Sequence, residues 1–197
     1  MSPEDLRASI GAVTSFNFAS DYQVVPVSLI GVSFSLAVFP ALAAAYGAGD
    51  GETFRRILRR NVVTIGLLTI LAAILLAVLA HPLVAILLGG GAFGPADVDR
   101  TATVLTAYAL SIPLDSLSYP LSRALYATHN TILQVFASIS GFVTIVVVGS
   151  VLAGSVGIVA IPLAAAAGGV VKVALLTLFL VPRVRRIGTG GAAPESA

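Results

Sequence analysis

From Thr131 to Val171 the chain carries no Asp, Glu, Lys or Arg. As a helix rising about 1.5 Å per residue, this stretch would measure roughly 60 Å, twice the ~30 Å thickness of a bilayer's hydrocarbon core. A water-soluble domain has no interior of that size to offer a single charge-free run. The rest of the chain agrees: 57% of residues are hydrophobic and 10% charged, against about a quarter charged in a typical soluble domain. Mean hydropathy is +1.01. Backbone groups inside hydrocarbon must satisfy one another, and long apolar runs without period-two alternation favour helices over a β-barrel. The sequence therefore predicts an all-α, polytopic transmembrane bundle.

Five apolar segments approach the ~20 residues that one crossing needs. They lie at about 22–45, 61–81, 101–122, 131–152 and 157–181. Residues 1–21 are expected as an outer-side segment, 22–182 as the bundle and 183–197 as a cytoplasmic tail without fixed structure. The small residues Ala153, Gly154 and Ser155 are expected to form the hairpin between the last two spans. Residues 46–60 are expected as the longest connection, with Arg55, Arg56, Arg59 and Arg60 on a short surface helix and Phe54, Ile57 and Leu58 facing the membrane or the bundle.

Charge orients the spans. With five crossings, the four arginines before the second span, Arg123 after the third and Arg183, Arg185 and Arg186 after the fifth all fall on one side. The other side holds Asp97, Asp99 and Arg100. By the positive-inside rule the arginine side is cytoplasmic. The N-terminus is then outside, although Met1 to Asp21 lacks the basic and apolar regions of a signal peptide. That combination leads us to expect further protein upstream.

Several chemistries are excluded or disfavoured. The absence of cysteine removes disulfides, thiolate metal sites and cysteine nucleophiles. The basic residues form no face suited to nucleic acid. Gly89 to Gly94 (GGGAFG) lacks the lysine and strand context of a phosphate loop and reads as a turn feeding a helix, with Pro95 in the first helical position and Asp97 and Asp99 in the first turn. His81 and His129 fall at opposite membrane surfaces, too far apart to share a metal. No nucleophile and base can be paired, so neither an enzyme, a cofactor nor a metal site is expected.

What remains are prolines and charges inside spans. Pro26, Pro40, Pro113 and Pro120 each remove a helix hydrogen bond; they are either packing irregularities or hinges for a transporter that rocks between states. Asp21 sits at the outer edge of the first span, solvated or facing a path. Asp115 and Lys172 lie well inside spans, roughly 21 and 23 Å down their helices at ~1.5 Å per residue. Charges in a bilayer are costly unless they face the interior and find partners. The two are expected either to pair, directly or through water, or to separate, with Lys172 reaching for the cytoplasmic surface and Asp115 capping backbone groups opened by Pro113 or Pro120. Asp21, Asp115 and Lys172 are the transport candidates.

Gly11 to Pro26 (GAVTSFNFASDYQVVP), Phe39 to Leu42 (FPAL), the run GGGAFGPADVDRTATVL and Ser122 to Thr131 (SRALYATHNT) occur in the order and near the spacing seen in MviN-type lipid II flippases. The chain resembles that family, within the multidrug/oligosaccharidyl-lipid/polysaccharide exporter superfamily, from about Gly11 to Arg186. The resemblance implies a bacterial cytoplasmic-membrane protein that translocates undecaprenyl-linked peptidoglycan precursor between leaflets, built from two six-helix lobes. These spans would be the last five of the second lobe. Its partners would be membrane lipid, the lipid-linked cell-wall precursor and the missing N-terminal lobe or a partner subunit. The chain departs from the family where Ser20 and Asp21 follow Asn17-Phe18-Ala19 in place of an acidic–basic pair, and where Ile132 replaces a proline. An exporter of another polysaccharide-linked lipid or a small cation, and a structural membrane subunit without transport, remain as alternatives.

Overall fold

The computed structural model describes residues 17–18, 20–88 and 94–187. Among these every regular element is helical, as the apolar runs require. The glycine run 89–93, most of the N-terminal segment and residues 188–197 lie outside the described part.

Helix α1 spans Ser20–Gly47. After Pro26 it widens into a π-helical stretch over Val27–Val32 before returning to α geometry. At Gly31 a β-carbon would lie 2.9 Å from the Ser116 Cα, so the missing side chain lets α1 touch the backbone of a later helix. Gly49, at φ +69°, then reverses the chain in the left-handed region that glycine enters without a Cβ penalty. Asp50 accepts the Thr53 backbone N–H at 2.9 Å and so caps the next helix. Hydrogen bonds from Thr53, side chain first and then backbone, hold the Asp50 carboxyl below its ordinary value.

Helix α2 runs unbroken over Gly51–Leu88, about 57 Å at 1.5 Å per residue. This corrects the expectation of a 46–60 connection carrying a separate surface helix: the connection is only residues 48–50. Arginine is a good helix former, and Glu52 and Arg56 pair one turn apart at 2.6 Å, so nothing interrupts the helix where hydropathy ends. Phe54 is fully buried in the bundle, with Ile57 and Leu58 packed against the same cluster.

Helix α3 covers Pro95–Ala109 and helix α4 Ile112–Ala127. Pro95 takes the first helical position, and the Asp97 carboxylate accepts the Gly94 N–H at 3.2 Å. The expected single span 101–122 is thus broken in its middle. Pro113 has no N–H to continue the ladder, and Leu110 and Ser111 bond three residues back, to Ala107 and Tyr108, at 3.3 and 2.9 Å. Beyond the end of α4, His129 adopts φ 56° and sets its ring, tilted, 5.9 Å from that of Tyr46.

Helices α5, Thr131–Val156, and α6, Ala160–Arg186, form a hairpin. Its reversal falls at Gly157, φ +58°, followed by a 3-10 turn Gly157–Val159. Ala153, Gly154 and Ser155, expected as the turn, are still helical; small residues are tolerated in a helix, and only the positive φ requires glycine. Helix α6 carries Arg183, Arg185 and Arg186 in its own last turn, so the basic group expected in a tail terminates a helix.

Three helical runs are long and apolar enough to cross a membrane: Ser20–Gly47, Gly51–Leu88 and Thr131–Arg186, the last folded back at Gly157. Two clusters mark the ends of the bundle. One joins Leu42, Phe54, Leu125, Leu180 and Val184; the other joins Ala80, Val84, Val98, Leu105 and Tyr108, with Ile158 against them. The arginine-rich helix ends therefore gather at one end, and Asp97, Asp99 and the Gly157 turn at the other. Large apolar side chains cover the outside, Ile132 at 82% and Val78 at 71% exposure among them, and α5 buries only Ala137 and Gly141. Such a surface suits lipid.

Glycines set the close approach of α5 and α6. A β-carbon on Gly168 would collide with Ile145 and sit 2.6 Å from the Gly141 carbonyl, whereas one on Gly149 would meet the Ala164 Cβ at an ordinary 3.5 Å. Gly168→Val should destabilise the protein by about 1–3 kcal/mol, the usual cost of overpacking, while Gly149→Ala stays near wild type. Thermal unfolding in detergent measures both; equal midpoints for the two variants would refute the hairpin packing.

Candidate functional site

The break between α3 and α4 does more than interrupt a helix. It leaves the Ser111 side chain free of the regular ladder, buried, and donating to the Tyr108 carbonyl at 3.0 Å. From α1 the buried Gln23 amide spends both of its N–H donors here, on Ser111 Oγ at 3.1 Å and on Asp115 Oδ2 at 2.9 Å. Just above, Tyr108 shares a side-chain hydrogen bond with Ser20. One polar stripe of α1, Ser20 and Gln23, is thus matched to the irregular end of α4.

Below the amide, the π-helical stretch brings Gly31 against Ser116. The Ser116 hydroxyl is buried without a hydrogen-bond partner. From the other side, Gly169 of α6 packs against Leu114, whose Cβ would lie 3.0 Å from an added β-carbon. This contact brings α6 beside Asp115 and puts Lys172 within electrostatic range of it. Both charged residues are half-buried.

The sequence candidates separate accordingly. Asp115 and Lys172 make no direct ion pair: among the described residues the ion pairs are Glu52–Arg56 and His81–Asp99. Asp115 satisfies itself first with the uncharged amide of Gln23. Asp21 is exposed on α1 and stands apart from this group. Pro26 precedes the π-helical stretch and Pro113 opens α4, so these two bracket the polar node. Pro40 lies inside α1, and Pro120, fully buried, inside α4. His81, expected at a membrane surface, meets Asp99 at 3.0 Å and ties the end of α2 to the start of α3.

Gln23 and Ser111 escaped the sequence reading because uncharged polar residues barely disturb hydropathy. The signal available was positional: Gln23 lies three residues after Ser20, and Ser111 two before a proline.

Removing the amide should leave the carboxylate short of a donor in a low-dielectric place. In a double-mutant cycle, Gln23→Leu and Asp115→Ala should couple by on the order of 1 kcal/mol, within the range that interhelical polar contacts reach in membrane proteins. Denaturant titration in mixed micelles reads this, and strictly additive effects would deny the contact.

A family model described as lipid II flippase MurJ matches residues 7–193. Among similar proteins, a probable lipid II flippase MurJ of Rickettsia prowazekii is 33% identical over 122 residues, covering 61% of this chain and 24% of the relative. That of Bdellovibrio bacteriovorus is 32% identical over 121 residues, 61% of this chain and 23% of the relative. That of Thermotoga maritima is 26% identical over 172 residues, 87% of this chain and 35% of the relative. The chain spans about a quarter to a third of the length of these relatives. A solved structure of lipid II flippase MurJ in an inward closed conformation superposes with a TM-score of 0.77 at 22% identity, covering 90% of this chain and 38% of that one; this likeness concerns the fold.

Proposed function

Because the chain belongs to the lipid II flippase MurJ family, we propose that it forms most of the second lobe of a flippase that moves undecaprenyl-linked peptidoglycan precursor across the bacterial cytoplasmic membrane. The observation that carries this reading is the family match along residues 7–193. The surface supports it, since large apolar side chains face outward along α2 and α5. In this reading residues 22–182 cross the bilayer five times, as α1, α2, the broken α3–α4 pair, α5 and α6, with the arginine-rich end in the cytoplasm. The remaining part of such a flippase, a first lobe or partner subunit, would complete the path for the precursor.

Within this lobe, Pro26 and Pro113 are placed where α1 and α4 can change their angle around the Gln23–Asp115 contact, with Pro40 and Pro120 as further points of bending. Asp21, exposed at the head of α1, is the group we assign to the first lobe or to the path between lobes.

The chain has no cysteine, so introduced thiols report alone. In intact cells an impermeant maleimide should label Asp99→Cys and spare Glu52→Cys and Arg185→Cys; labelling of all three from outside would rule out the five-crossing topology.

Translocation is tested in vesicles carrying fluorescent lipid II, by the chain alone and together with a first lobe. Transfer between leaflets should require both. Transfer by the chain alone would overturn the lobe reading, and no transfer by the assembled pair would overturn the assignment of cargo.

A further inference from the structure

The polar node holds an ionisable group that the bundle does not neutralise. Asp115 lies in an apolar stretch, yet among the described residues its one close side-chain donor from another helix is an amide, Gln23 Nε2 at 2.9 Å. The charge that could cancel it, Lys172, is near but makes no ion pair with it. Its surroundings hold few other titratable groups. From α1 these are Asp21, exposed, and Tyr22, packed toward the outer cluster; from α3, Tyr108. On its own helix Tyr119 and Arg123 follow, the guanidinium lying over the Phe39 and Tyr126 rings at 5.8 and 6.0 Å. Helix α6 contributes Lys172. Helix α2 has no titratable side chain between Arg60 and His81, and α5 has none at all.

We propose that the Asp115 carboxyl is a proton-binding site whose occupancy sets how tightly α4 holds α1. This rests on the transporter reading above, for which it names the coupling ion. When the carboxylate is ionised, the Gln23 bond is charge-assisted, and such bonds are roughly twice as strong as neutral ones. A proton taken from solution adds to one carboxylate oxygen, removes the charge, reduces the Gln23 contact to a neutral bond and leaves Lys172 without its nearby anion. Helix α1 is built to respond: Pro26 and the π-helical stretch Val27–Val32 begin one turn below Gln23. There the ladder is already irregular, a feature common at functional positions in helices. The buried Ser116 hydroxyl, without a partner beside Gly31, sits where α1 and α4 would slide.

The test uses the full chain in proteoliposomes. Infrared difference spectra between alkaline and acidic pH read the protonated carboxyl. Spin labels at Val25→Cys on α1 and Tyr119→Cys on α4, both on exposed positions, read the separation of α1 from α4. In wild type a protonated-carboxyl band should appear on acidification together with a shift in the label distance. Asp115→Asn should lose that band and show the acid distance at every pH. Gln23→Leu should keep the band while the distance ceases to follow pH. A wild-type distance indifferent to pH, or the full band surviving in Asp115→Asn, would overturn the proposal. Neither readout involves lipid II, so failure of the cargo assignment leaves this result intact, and the reverse holds equally.

Discussion

A backbone inside hydrocarbon has no water to fall back on, so every departure from regular helix must be repaired by the protein itself. This requirement organises the bundle. Apart from the turns at 48–50 and 128–130, the chain departs from α geometry at three described places: the widened turn after Pro26, the break before Pro113 and the reversal at Gly157. The reversal lies at an end of the bundle, where solvent or headgroups can help. The other two lie against each other in the interior. Backbone bonds from Leu110 and Ser111 to the carbonyls three residues back, the Ser111 hydroxyl and the Gln23 amide supply the repair. The polar node is the place where two irregular helices complete each other.

The same requirement explains why glycine does so much of the packing. Between helices already surrounded by lipid, burying apolar surface gains little, and close van der Waals contact has to supply the attraction. Gly31 against Ser116, Gly168 against Gly141 and Gly169 against Leu114 bring α1, α4, α5 and α6 to backbone distance. Two of these three contacts flank Asp115, one against the Ser116 backbone and one against the Leu114 side chain.

Much of this was legible in the sequence, for identifiable reasons. The helical class follows from charge-free length, and the gathering of the arginine groups was expected from their positions between apolar segments; the structure brings those helix ends together. Helix ends were harder. Hydropathy marks where lipid stops, not where helix stops, so α2 extends back to Gly51 through four arginines and α6 reaches Arg186. The turn at Gly157 was misplaced by a few residues because composition does not reveal which glycine adopts positive φ. Asp115 and Lys172 were visible as charges in apolar surroundings, but their partners depend on rotation about helix axes that no hydropathy profile contains.

The preference of Asp115 for Gln23 over Lys172 follows from what each contact would cost. A direct ion pair between helices must desolvate both ions, and removing either partner later leaves an unpaired charge in a poor dielectric. An amide costs less to bury, accepts or donates, and can stay bonded to a carboxyl group in either protonation state. Lys172 is set back and makes no ion pair with Asp115. A carboxylate clamped by a lysine would be a structural rivet. One bonded to an amide, with the cation set back, keeps its charge adjustable, and it does so where α1 is least regular and closest to α4.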